Sequence, residues 1–258
     1  MDMHTLFVAQ SVCYTWADTI RKSRSLQEAL FFIPASEKSG TNTRVCNPML
    51  ASAFPTADLR VASITSEEMK DTRLCNFDLA KNPAKREIYL RPEASWRRML
   101  TQQPPVFTVG RFSKGTGPMG LSWHQKRAVR LDEGLRMGTL FELLLCLTCD
   151  EWNHSLVAIC LGGAKPVNAP VEIEAPNIYI RTDEINKDWR DMIAGFDLVL
   201  MRDYGLACID HDEPDDSERG KSRDGIVWEE TCETYSRLGL TMEKLEMETY
   251  NEGYMMWD

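Results

Sequence analysis

The sequence contains nothing approaching the roughly 18 consecutive apolar residues that a membrane helix needs. Its opening Met1-Asp2-Met3-His4 lacks the basic segment and apolar core of a secretory leader, so a cytoplasmic or nuclear location is expected, with no membrane partner. Basic residues are in the minority, 30 Lys and Arg against 39 Asp and Glu. The resulting formal charge of -9 argues against a nucleic-acid partner, which requires clustered cations. Neither a G-x-S-x-G nucleophile elbow nor a P-loop occurs. With four histidines and eight cysteines in the chain, no pair stands out in the sequence as a catalytic dyad, and no cofactor is assigned. Eight cysteines spread singly do not suggest a disulfide framework; they read mostly as small core hydrophobes.

What is present is ordinary globular composition, 43% hydrophobic and 27% charged, enough for one sizeable core or two small ones. The clearest pattern runs from Leu6 to Phe32. Leu6, Ala9, Val12, Cys13, Trp16, Ala17 and Ile20 recur at steps of three and four, which places them on one face of an amphipathic helix. Arg21 and Lys22 suit its C-terminus. Ser25 and Glu28 have capping-box spacing and predict a second helix from about Leu26, with Leu26, Ala29 and Leu30 inward and Pro34 limiting it.

After a polar stretch from Ala35 to Arg44, Asn47-Pro48 has the form of a helix start, Asn as cap and Pro at the first position. Pro92, Glu93, Trp96 and Leu100 predict a further helix, ended by Pro104-Pro105. Val106 to Val109 reads as a strand, the Gly115, Gly117, Pro118, Gly120 cluster as a turn, and Trp123 to Leu131 as the next strand. Leu140 to Leu147 is apolar nearly all round and predicts a buried helix, with Thr139 and Glu142 as its capping box. Leu156 to Leu161 reads as a buried strand, and Val171, Ile173, Ile178 and Ile180 as one or two more. Asp183 is placed to cap a helix carrying Ile185, Trp189 and Ile193, followed by a strand from Phe196 to Met201. His211 to Gly225 is an acidic loop, and the tail from Trp228 reads as helical. Helices and strands mix without a βαβ rhythm, so an α+β fold is expected.

Several clusters admit two readings. Cys146-Leu147-Thr148-Cys149 has metal-pair spacing, and His154 lies close enough to be a third ligand. Structural zinc takes four ligands, however, and no second CxxC exists, so two buried thiols are the simpler reading and no metal is assigned. The acidic run from Asp210 has Asp215 and Lys221 where a calcium loop needs Gly and Glu. Arg91, Arg97, Arg98 and Arg136 suit either ion pairs with the surplus carboxylates or an acidic or phosphorylated partner.

The run Ala9-Gln10-x-Val12-Cys13-x-x-Trp16-x-x-x-Ile20, then Ser23-x-x-Leu26-Gln27-x-Ala29-Leu30-Phe31, resembles the second half of an F-box as found in fungal F-box proteins. The family's opening Leu-Pro segment and first helix would lie before Met1. Further runs similar to the family are Asn47-Pro48-Met49-Leu50, Leu90 to Leu100 with Gln102-Gln103-Pro104-Pro105, and Glu133 to Leu140. The resemblance implies a partial F-box over residues 1–34 and an α+β substrate-recognition region over residues 46–258. It implies a receptor that links a target protein to an SCF-type ubiquitin ligase, with Leu6, Val12, Cys13, Trp16, Ile20, Leu26 and Leu30 meeting the SCF adaptor subunit. The alternative is a free-standing interaction or ligand-binding domain in which the same helix face is core.

Overall fold

The computed structural model describes residues 13–36, 44–53, 90–116, 122–148, 155–161, 182–204, 223–241 and 247–254, with Thr5, Asn82, Ala84, Arg86 and Glu87 as isolated positions. In chain order these form α1 (Tyr14–Lys22), α2 (Arg24–Ala29), β1 (Val45–Cys46), α3 (Pro48–Ala53), a 3-10 turn (Ser95–Arg98) and β2 (Gln102–Gln103). They continue with β3 (Thr108–Thr116), β4 (Ser122–Arg130), α4 (Met137–Thr148), β5 (Ser155–Leu161), α5 (Thr182–Gly195), β6 (Leu198–Tyr204), α6 (Arg223–Arg237) and β7 (Glu248–Tyr254). The fold is α+β, as the mixed pattern predicts. The strands expected around Val171, Ile173, Ile178 and Ile180 and most of the acidic loop lie outside the described residues.

The larger sheet has the order β5-β6-β3-β4-β7. β3 pairs with β4 antiparallel, from Thr108↔Arg130 to Thr116↔Ser122, so it runs well past the strand expected at Val106 to Val109 and takes in Gly115, expected in the turn, while Gly117, Pro118 and Gly120 lie outside the described residues. β6 then lies parallel to β3 and antiparallel to β5. Because side chains alternate across a strand, each strand divides its residues between two layers. Val109, Leu198, Leu200 and Ile159 join the core that includes Leu140, Leu143 and Leu144 of α4 and Val227 and Tyr235 of α6. On the other face Phe112 meets Trp189 of α5, ring centroids 5.5 Å apart. Gly110 permits this approach, because a Cβ there would lie 2.6 Å from the Met192 side chain.

Charge fixes α5 on that face. Asp188 accepts from Lys126 Nζ at 3.0 Å and lies 2.9 Å from His124 Nε2, both on β4. Burial works against the Asp188 carboxylate, but the hydrogen bonds and charges of Lys126 and His124 outweigh it and hold the carboxyl below its ordinary range. At the start of β6, Asp197 Oδ2 accepts from the Phe107 and Thr108 backbone N–H groups and from Thr108 Oγ1. The Asp197 N–H donates back to Thr108 Oγ1 at 2.9 Å. One carboxylate thus sets the parallel register of β3 and β6.

Where structure and expectation differ, tertiary bonding is the cause. Asn47 caps α3 as predicted, its Oδ1 accepting from Met49 N at 3.0 Å. The α-helix expected from Pro92 to Leu100 is only a 3-10 turn, because Met99 is extended and Leu100 N donates to Phe31 O instead. Ser25 lies inside α2, whose cap position is Ser23, and the Glu28 side chain accepts from Arg24 at 2.8 Å, so that capping box is not made. Thr139 and Glu142 lie inside α4, and Asp183 inside α5, rather than at their caps. The C-terminal tail is not one helix: α6 ends at Gly239, with φ +66°, and Glu248–Tyr254 takes the open edge of β4 as a strand. Of the cysteines, Cys13 and Cys146 are exposed rather than core residues, Cys232 is half-buried, and Cys46 is half-buried against the main core.

Replacing Asp188 by Asn leaves Lys126 and His124 without their anion and is expected to destabilise the fold by about 2 kcal/mol at pH 7. A carboxyl with a lowered folded pKa contributes stability above its unfolded pKa and loses it as pH falls through the folded value. The gap between Asp188→Asn and the native chain in thermal unfolding should therefore narrow below about pH 4. A gap that stays constant to pH 3 would contradict this account.

Candidate functional site

The site is built where the α1–α2 pair joins the body. α1 is nine residues long and α2 six, too short to be stable alone. They pack through Ile20 and Leu30, 1% and 0% exposed, with Leu26 and Phe32 alongside. The link to the body is mainly backbone. Phe31 O accepts from Leu100 N, Phe32 O from Arg136 Nη1 at 2.9 Å, and Ile33 O from Gln103 Nε2 at 2.8 Å. Gln103 Oε1 returns a bond from Ala35 N at 2.8 Å.

The turn that delivers these carbonyls is a Schellman motif. Phe32 N donates to Gln27 O and Phe31 N to Glu28 O, with Phe31 at φ +60°, the position usually given to glycine. The same motif closes α6, where Leu240 N donates to Tyr235 O, Gly239 N to Ser236 O, and glycine does occupy the left-handed position. Phe31 is kept because its ring is 6% exposed and belongs to the main core. Burying a phenyl ring is worth about 3–5 kcal/mol, against about 1–2 kcal/mol for the left-handed backbone.

Between this pair and the body lies a cavity of about 740 Å³. Ala17, Ile20 and Arg21 of α1 form one wall and Arg97, Arg98 and Arg136 the other. Arg97 is fully engaged. Its Nη2 pairs with Glu142, its Nη1 donates to Tyr235 Oη at 3.3 Å, and its guanidinium lies between the Trp96 and Tyr235 rings. Tyr235 Oη donates to Glu142 Oε1 at 3.0 Å. Burial opposes the Arg97 charge, but Tyr235 and Glu142 outweigh it and raise the pKa above that of ordinary arginine. Burial is also the largest cause that pushes the Tyr235 hydroxyl up, so it stays protonated. Gly138 lets α4 reach this cluster, since a Cβ there would sit 3.0 Å from Arg97 Cβ.

The other arginines differ. Arg136 uses Nη1 on the Phe32 and Arg98 carbonyls and approaches only the exposed Glu133, at 3.9 Å. Arg98 lies over the Phe32 ring, 5.7 Å from its centroid. Among the described residues neither Arg21 nor Arg98 has a carboxylate partner.

The residues predicted to meet an adaptor are divided. Leu6 and Val12 lie outside the described residues. Cys13 is exposed, Trp16 is 46% exposed, and Tyr14, not singled out by the sequence, is 77% exposed. Ile20 and Leu30 face their own core instead, because a helix this short must spend its buried stripe on its neighbour. Leu26 is half-buried in the same cluster, and Ala29 is exposed rather than inward. The sequence reading also missed Glu142 and Gln103 as structural partners. A lone acid in the otherwise apolar Leu140–Leu147 run was the available signal, since carboxylates are buried chiefly when paired.

Other chemistries find little here. The Gly115-Thr116-Gly117-Pro118-Met119-Gly120 string has G-x-G-x-x-G spacing. It joins antiparallel strands rather than a strand to a helix, so no helix N-terminus follows to hold a pyrophosphate. Cys149 and His154, the remaining candidates beside Cys146, lie outside the described residues; among the described ones no group of three metal-binding side chains occurs. Burial pushes the Cys46 and Cys232 thiols up, away from the thiolate a nucleophile needs. No helix among the described residues is long and apolar enough to cross a membrane. Comparison of the chain with protein-family models, curated proteins and solved structures finds no match in any of the three.

Two substitutions test this construction. Phe31→Ala loses the ring and keeps the left-handed strain, whereas Phe31→Gly loses the ring and relieves it. Both should destabilise, and the glycine variant should be the more stable of the two by about 1 kcal/mol in urea unfolding; the reverse order would refute the strained turn. Glu142→Leu, which leaves Arg97 buried and unpaired, should destabilise by about 3 kcal/mol. Adding Arg97→Met should recover much of that loss, and additive effects in the double variant would show that the two side chains do not act as a pair.

Proposed function

We propose that the chain is an F-box-type receptor that links a target protein to an SCF-type ubiquitin ligase. The α1 face meets the adaptor subunit and residues 46–258 hold the target. The observation that carries this reading is the uncovered start of the α1 stripe. Cys13 and Trp16 share the helix face of the buried Ile20, yet Cys13 is exposed and Trp16 is 46% exposed. An exposed tryptophan that continues a buried apolar stripe has the composition of a binding face, since tryptophan is prominent in interface energetics. The F-box-like spacing of Val12, Cys13, Trp16 and Ile20 names the partner. In this role the chain performs no chemistry; it positions a target for ubiquitin transfer by its partners, in the cytoplasm or nucleus.

A second reading, a free-standing ligand-binding domain, is favoured by the cavity at the α1–α2 junction, whose volume of about 740 Å³ falls in the range of small-molecule sites.

Titration of the chain with purified SCF adaptor subunit decides between them. The receptor reading expects saturable binding that Trp16→Ala weakens by about 30-fold or more, as for an interface hot spot. Trp16 is exposed, so that substitution should leave the unfolding midpoint in place. Absence of binding, or binding that Trp16→Ala does not change, would leave the ligand-binding reading.

A further inference from the structure

We propose that the cavity between α1 and the Arg97–Arg98 turn is a binding site for a small phosphate ester. This inference does not rest on the adaptor reading. Its first support is charge. Among the described residues, Arg21, Arg97, Arg98 and Arg136 line the cavity against only Glu133 and Glu142. Glu142 is consumed by Arg97 and Tyr235, and Glu133 is 86% exposed and 3.9 Å from its nearest guanidinium nitrogen. The chain carries 39 acids against 30 bases, so a cavity wall with two arginines that lack a carboxylate partner among the described residues runs against the composition. Two such guanidinium groups match the double charge of a phosphate monoester better than the single charge of a carboxylate.

Backbone adds to this field. Gly138 and Thr139, in the first turn of the 12-residue helix α4, also line the cavity, so the positive end of that helix faces the same space. The volume of about 740 Å³ exceeds what a lone anion fills and suits a small organic molecule. Phe32 and Ile20 provide the apolar wall against which its organic part would rest. Stacking on the Phe32 ring holds the Arg98 guanidinium beside that wall, which restricts its freedom before any ligand arrives.

The experiment is calorimetric titration of the full chain with phenyl phosphate, inorganic phosphate and a phosphoserine peptide, repeated on the Arg21→Gln, Arg98→Gln double variant. Both arginines are exposed and, among the described residues, neither has a carboxylate partner to lose, so the variant should stay folded, its unfolding midpoint lowered only slightly by loss of the Arg98 contact with Phe32. Phenyl phosphate should bind at one site, more tightly than inorganic phosphate, and the double variant should weaken it by about tenfold or more. The Arg21→Lys, Arg98→Lys variant should retain part of the affinity, since charge survives without the planar fork. No saturable binding of phenyl phosphate, or binding that the double variant leaves unchanged, would overturn the proposal. Tighter binding of the phosphoserine peptide would overturn the small-ligand assignment and give the site to a phosphorylated protein segment.

Discussion

The structure depends on how five consecutive buried residues, Met99 to Gln103, satisfy their backbone. They are at most 8% exposed, so their polar groups must be paired inside the protein. Met99 O accepts from Met137 N, Leu100 N donates to Phe31 O, Thr101 N donates to Leu135 O, and Thr101 O accepts from Asn47 N. Leu100 O takes the Asn47 side-chain amide at 3.0 Å, and Gln102 and Gln103 pair with β1. One short extended stretch therefore holds the α1–α2 pair, the cap of α3 and the entry to α4. An α-helix through Leu100 would have withdrawn these groups into its own ladder and left three elements without attachment.

That competition explains which parts of the fold are legible in the sequence. Period and punctuation suffice where an element's own residues decide its state: the apolar run of β5, the Asn47-Pro48 start of α3, and the helical period of α1. They misplace β3, whose extent to Thr116 is set by pairing with β4 and β6 on either side. They fail where a distant partner decides. Glu142 has the right spacing from Thr139 for a capping box, yet it sits one turn inside α4, because Arg97 and Tyr235 reward its burial there. The tail after Gly239 carries a helix-compatible pattern, but the unpaired edge of β4 recruits it as β7. Sheet edges and buried charge partners are properties of the assembled chain, and spacing rules contain neither.

The candidate site was legible only in fragments. The sequence isolates Arg91, Arg97, Arg98 and Arg136 and leaves ion pairing or an acidic partner open; Arg91 is exposed and is not among the residues that line the cavity. The structure divides the set: Arg97 is a structural ion pair, Arg136 a brace on carbonyls, and Arg98 without a carboxylate. Arg21 joins them from α1, although 76 residues separate it from Arg97. No local pattern could have predicted that meeting. It follows from the Schellman turn at Phe31, which reverses the chain after α2 and places α1 opposite the 3-10 turn.

The short helix α1 consequently has two ends with different obligations. Cys13, Tyr14 and Trp16 at its start are exposed, while Ala17, Ile20 and Arg21 toward its end line the cavity. Only Ile20 is fixed by burial, so the orientation of α1 is set by one apolar anchor and by whatever meets its two ends. Surface ion pairs such as Asp18–Lys22 contribute too little to define it, because exposed pairs within one helix are worth about 0.3–0.5 kcal/mol. An anion that engages Arg21 and Arg98 together would tie α1 to the body with charge-assisted bonds several times stronger. A ligand shifts an equilibrium only through its different affinity for the two arrangements. Here that difference has a defined origin: a site whose arginines come from both sides is complete only when α1 is docked.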